Sequence, residues 1–314
     1  IENQTLQSDV LTRTLNKLNN NIFKIEESEK RIFEVALKIL TLAAYHSEPT
    51  FEPEYHSKFD SLTWSHAPRT VAAELVCKLG VKYYVPEIKT IIHGLFYDQV
   101  PAVRYLISTE IFRVYFFNKE LFWEILEARS KSESIRTIKS ALLSSLTKIF
   151  LKDVSKAETI YKNLFDSSEK DNFSDMLGDC TANLASLSIG NLGNDILLNV
   201  IDDPKKYKNI LEHVALQLSS NKLSFKQWNN DSNIFMKAME YSIKLIKSCS
   251  ALLTSSIQDQ EEIREVYKVI SKFITCLYFN SDFIDTQNLQ YELCKNYFEN
   301  LSPIIDEIVS VANQ

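Results

Sequence analysis

Pro68-Arg69-Thr70-Val71-Ala72-Ala73, Val103-Arg104-Tyr105-Leu106-Ile107-Ser108 and Ile135-Arg136-Thr137-Ile138-Lys139-Ser140 are three versions of one pattern, in which Arg69, Arg104 and Arg136 recur at nearly even intervals. Each opens an amphipathic run that contains no helix breaker, and a second helical run fills each interval. A period of this size marks stacked helix hairpins, so the middle of the chain reads as an α-solenoid. Solenoids present surfaces more often than they perform chemistry.

Outward from these runs, apolar periodicity predicts helices over about 67–80, 86–97, 101–117, 119–129, 133–151 and 155–166. Pro86 and Pro101 fall at helix starts, where the missing N–H costs nothing. Matched spacing supports the hairpins. Ile88 stands to Arg69 as Trp123 stands to Arg104, and Ile91 and Leu126 share a second common offset from the same two arginines. Towards the N-terminus, residues 5–25 have helical spacing, and Ser28 is the expected N-cap of a strong helix through Ile32, Phe33, Ala36 and Leu40.

A breaker-rich loop spans 46–67, with Pro49 and Pro53, four carboxylates, and the aromatics Phe51, Tyr55, Phe59 and Trp64. Long irregular connections of this kind are often partner-facing, and these four aromatics, with Trp228, are the candidate partner-binding residues. Beyond Asp166 the repeat fades. Helices are expected at about 175–188, 195–202, 205–220, 232–255, 259–280 and 285–312, as divergent hairpins or a terminal capping bundle. The expected division is therefore 1–166, helical repeats, and 167–314, divergent repeats or cap.

At Asp98-Gln99-Val100-Pro101-Ala102-Val103-Arg104 the chain resembles the HEAT-repeat family, whose members carry an Asp at the hairpin turn and a Val-Arg pair on the second helix. The resemblance covers about residues 62–166. It implies an all-α, right-handed solenoid of antiparallel hairpins, in which Asp98 and Arg104 tie successive units together by a ladder of polar contacts. Arg69 and Arg136 occupy the matching positions, although Thr63 and Ser130, rather than Asp, stand six residues before them. In the ladder reading each arginine bonds a carboxylate or carbonyl of the neighbouring hairpin. In the alternative reading the same arginines, with nearby lysines, form a positive row facing phosphate or an acidic peptide.

Composition narrows the function classes. Only 5 glycines and 7 prolines occur in 314 residues, which favours long helices and short loops. No apolar run is long enough to cross a membrane, and no signal peptide pattern opens the chain. The start at Ile1 suggests a segment of a larger multidomain protein. Net charge is −6; residues 1–150 hold 19 basic against 18 acidic side chains, and residues 151–314 hold 16 against 23. That balance argues against broad nucleic-acid binding. Cys77, Cys180, Cys249, Cys276 and Cys294 are scattered, odd in number and in apolar context, which indicates free thiols in a reducing, cytoplasmic setting.

Catalytic signals are weak. His46, His56 and His66 lie ten residues apart beside carboxylates, without the close ligand spacing of a metal site, and no HExxH occurs. His93 and His213 read as packed helix histidines. No nucleophile elbow or phosphate loop is present, and Gly190-Asn191-Leu192-Gly193 reads as a turn rather than a clamp on nucleic-acid backbone. The expectation is a non-catalytic interaction, scaffold or sensing module without cofactor or metal, whose partner is a protein or an adjacent domain. A nucleic-acid-binding repeat and an all-α enzyme are the alternatives.

Overall fold

The computed structural model describes residues 2–52, 66–167, 173–187, 189–223 and 232–254, with short pieces beyond, chiefly 264–272. Every regular element among the described residues is helical. The chain divides into two compact units, Ile1–Leu164 and Phe165–Gln314.

The first unit holds α1 (Glu2–Asn21), α2 (Lys30–Ala44), α3 (Pro68–Lys82), α4 (Pro86–Phe96), α5 (Pro101–Glu110), α6 (Lys119–Ser132), α7 (Arg136–Ile149) and α8 (Val154–Phe165, whose last residue falls in the second unit). Prolines pre-set the backbone at the first turns of α3, α4 and α5. Thr70 closes the start of α3 by accepting from the Ala67 N–H at 2.9 Å, and Asn118 caps α6 by accepting from the Leu121 N–H at 3.0 Å. Ser28, expected to cap α2, does not. The helix begins at Lys30 after Glu29, with no side-chain cap, and the Ser28 hydroxyl turns back to Glu26.

The expected helix 101–117 also differs from the structure. The α-helix stops at Glu110 and tightens into a 3₁₀ turn, Ile111–Phe116. That turn is Ile-Phe-Arg-Val-Tyr-Phe, a β-branched and aromatic run that loses side-chain freedom in an α-helix. Similar turns, Ile22–Lys24 and Phe150–Lys152, follow α1 and α7.

Packing centres on α3, which touches α1, α2, α4 and α5. Its buried residues correspondingly spread around much of the helix, with Val71, Leu75, Val76 and Leu79 fully buried. Beyond it α5 packs on α7, while α4 and α6 lie against each other and against α5 and α7 respectively. Phe33, Phe96, Phe122, Phe150 and Tyr161 are the largest fully buried side chains among the described residues of this unit, and truncating one costs about 3–5 kcal/mol.

The second unit holds α9 (Ser174–Ser186), α10 (Leu192–Asp202), α11 (Lys208–Leu223) and α12 (Ser232–Thr254). α9 and α11 approach so closely that a Cβ on Gly178 would lie 2.6 Å from the His213 Cβ and 2.7 Å from the Ile210 carbonyl oxygen. α12 packs on α9, α10 and α11, with the Ser248 hydroxyl donating to the Ile201 carbonyl at 2.6 Å. The helices expected at 259–280 and 285–312 fall largely outside the described residues. No described helix is long and apolar enough to cross a membrane.

Candidate functional site

The arginines that reveal the period lie at or near the starts of α3, α5 and α7. The Arg69 guanidinium reaches forward to Asp98 Oδ2 at 2.9 Å, and also donates to the carbonyls of Glu48 and Pro49. Arg104 repeats the forward reach. Its Nε lies 3.0 Å from Glu133 Oε2, while Nη1 donates to the Asp98 and Gln99 carbonyls at 2.8 and 3.0 Å. Asp98 and Glu133 follow the arginines that hold them by the same step along the chain.

Both acids do a second job. Asp98 Oδ1 accepts from the Val100 N–H at 2.8 Å, and Glu133 Oε1 accepts from the Ser134 and Ile135 N–H groups at 3.1 Å each. Each carboxylate thus turns the chain into the next helix while anchoring an arginine from two helices earlier. Arg104 is 6% exposed and Glu133 3%. Arg129 adds a further bond to Glu133 and lies 5.4 Å from the Tyr97 ring.

Asp98, Arg69 and Arg104 are therefore brought together at one turn. Asp98 offers its carboxylate to Arg69 and its carbonyl to Arg104, so it joins the start of α3 to the start of α5. Arg136 is exposed at the first position of α7. Glu133 and Arg129 were not singled out from the sequence; the constant step from arginine to acid was the signal that could have found Glu133.

Burial pushes the Glu133 carboxyl up, but the Arg104 hydrogen bond and charge, the Ile135 N–H and Arg129 outweigh it and hold it below its ordinary value. A depressed folded-state value contributes stability above the unfolded value, about 4.3, that is lost as pH falls through the folded one. The melting temperature of the first unit should therefore drop more steeply below about pH 4 in the wild type than in Glu133→Gln. Parallel pH profiles of the two proteins would show that Glu133 is not held this way.

Of the candidate partner-binding aromatics, Phe51 is exposed, while Tyr55, Phe59, Trp64 and Trp228 lie outside the described residues. The start of the 46–67 loop is tied down: the Ser8 hydroxyl donates to Glu48, and His46 Nδ1 accepts from the Glu48 N–H at 3.1 Å. His66 is exposed, and His56 lies outside the described residues. No three metal-ligating side chains converge among the described residues. His93 is half-buried, stacks on Tyr97 and sits 3.6 Å from Glu124; His213 is half-buried in the α9–α11 contact.

Beside the loop, α1 and α2 form an apolar groove of about 530 Å³, lined by Val10, Leu11, Ile39 and Leu42. α2 buries Phe33, Ala36, Leu40 and Ala43 on one face. It carries a second stripe, Ile32, Val35 and Leu42, whose side chains are exposed, Leu42 by 67%.

In the second unit the two glycines of the Gly190–Gly193 motif have separate reasons. Gly190 has φ 64°, a left-handed conformation that favours glycine, and a Cβ on Gly193 would lie 2.6 Å from the Leu184 Cβ. The thiols of Cys77, Cys180 and Cys249 are free and buried. Burial pushes all three up, Cys249 to about 12, so these three are poor nucleophiles at neutral pH. Cys276 and Cys294 lie outside the described residues.

No protein-family model matches the sequence, and a search of curated proteins finds no match.

Proposed function

We propose that the chain is a non-catalytic interaction scaffold whose first unit is a HEAT-like, right-handed α-solenoid of antiparallel hairpins acting in a reducing, cytoplasmic setting. The observation that carries the interaction role is the apolar groove between α1 and α2, with its second, exposed stripe on α2. A helix that is apolar on two faces and covered on one has an interface left to fill. The solenoid reading draws its support from the repeated arginine-to-acid step, identical in its two instances, which links neighbouring units and nothing further away. A nucleic-acid role through Arg69 and Arg104 has less support, because both guanidiniums are engaged by carboxylates and carbonyls.

Affinity capture with the purified chain, followed by mass spectrometry, tests the reading. A stoichiometric protein partner is expected, and it should be lost with the double change Val10→Glu, Leu42→Glu while the melting temperature holds. Failure of the wild-type chain to retain any protein would remove the scaffold reading. Retention by the double variant would move the contact elsewhere, and Phe51→Ser with Tyr55, Phe59 and Trp64→Ser then tests the loop.

A further inference from the structure

Side chains tie together the three 3₁₀ turns described in the first unit. The Arg113 guanidinium sits between two rings, 5.2 Å from the Phe23 centroid and 4.7 Å from that of Phe112. The Lys148 ammonium, at the end of α7, lies 4.3 Å from the Phe112 centroid, and the Tyr115 hydroxyl donates to the Lys152 carbonyl at 3.3 Å. The turns Ile-Phe-Lys, Ile-Phe-Arg-Val-Tyr-Phe and Phe-Leu-Lys contain Lys24, Arg113 and Lys152 and not one carboxylate, in a chain of net charge −6.

Cations near helix C-termini complement the exposed carbonyls there, which accounts for the sign of the charge. It does not account for the apolar side chains beside them. Phe23 is 47% exposed, Phe116 60% and Leu151 71%. Aromatic rings and cations set together on a surface are the composition of binding hot spots, and a ring under an ammonium keeps that charge at a fixed place. Two carboxylates flank the turns: Glu110 is engaged by Arg113 and lies 3.8 Å from Lys78, and Asp153, next to Lys152, accepts from the Lys156 N–H at 3.4 Å.

We propose that this platform binds an acidic peptide that also carries apolar side chains. Its carboxylates would meet Lys148 and Lys152, and its apolar groups would cover Phe116 and Leu151. A peptide fits better than nucleic acid for two reasons. The chain's net charge of −6 opposes a ligand charged at every residue more than a peptide charged at every second one, and the aliphatic Leu151, 71% exposed, is more open than either ring, Phe23 or Phe116. The proposal rests on the scaffold reading and names a partner class for that unit.

Fluorescence polarisation of a labelled synthetic peptide alternating Glu with Leu and Phe tests it, with the full chain titrated at low salt. Two further arms use the same peptide with Lys in place of Glu, and a labelled oligothymidylate. The Glu peptide should bind. Binding should weaken about tenfold or more in Lys148→Glu with Lys152→Glu, a loss of about 1.4 kcal/mol, and should survive in Lys148→Arg with Lys152→Arg. Thermal melts equal to wild type exclude misfolding of the reversed variant. No binding of the Glu peptide, equal binding by the reversed variant, or tighter patch-dependent binding of the oligothymidylate would each overturn the proposal. Affinity capture separates the two readings: the reversed variant should still capture a partner held in the α1–α2 groove, so loss of Glu-peptide binding reports on this platform alone, and no capture by the wild type removes the scaffold itself.

Discussion

Arg104→Ala is expected to destabilise the first unit by about 3 kcal/mol, the lower end of the range for breaking a buried ion pair by removing one partner. The loss comes from what remains. Glu133 stays buried with its charge, and the carbonyls of Asp98 and Gln99 lose their donor. Arg129 still bonds Glu133, which keeps the cost from reaching the upper end. A unit of this size should melt about 6–12 °C lower by calorimetry. Arg136→Ala, at an exposed position, should cost no more than about 0.5 kcal/mol. Equal losses at the two positions would show that the arginines do not differ in the way their burial implies.

Gly178→Ala is expected to destabilise the second unit by about 1–3 kcal/mol even though alanine is the better helix former. The added methyl would meet the His213 Cβ at 2.6 Å and the Ile210 carbonyl oxygen at 2.7 Å, so α9 and α11 must move apart. Gly94→Ala is the matched control. Gly94 is also inside a helix, but nothing lies within 4 Å of its added Cβ, so the substitution should stabilise by about 0.5–1 kcal/mol. Urea unfolding of both variants gives the signs directly. Stabilisation at both positions would mean that α9 and α11 are not in close contact.

The first unit was largely legible because its period is written in residues that must be where they are. Proline stands at the starts of α3, α4 and α5, and arginine at or near the starts of α3, α5 and α7. Glu133 escaped notice because the acid was sought six residues before the next arginine, as Asp98 stands to Arg104. It lies three before Arg136 instead, and those three missing residues are the whole difference between the two arginine intervals. The step from arginine to acid is what stays fixed. The 3₁₀ turns were missed because apolar periodicity does not distinguish a tightened turn from an α-turn over a few residues. In the second unit close backbone approach at Gly178 and Gly193 replaces the repeat, and a lone glycine in a helical run announces no partner.

The arginine-to-acid step recurs, from Arg69 to Asp98 and from Arg104 to Glu133, and each instance ties one arginine to one acid. Double-mutant cycles in urea test it, with Arg69→Ala and Asp98→Asn as one pair, Arg104→Ala and Glu133→Gln as the second, and Arg69→Ala with Glu133→Gln as the cross pair. Favourable coupling of about 1–3 kcal/mol is expected in the first two cycles, and additivity within about 0.5 kcal/mol in the cross pair. Additivity in either of the first two cycles, or coupling in the cross pair as large as theirs, would contradict it.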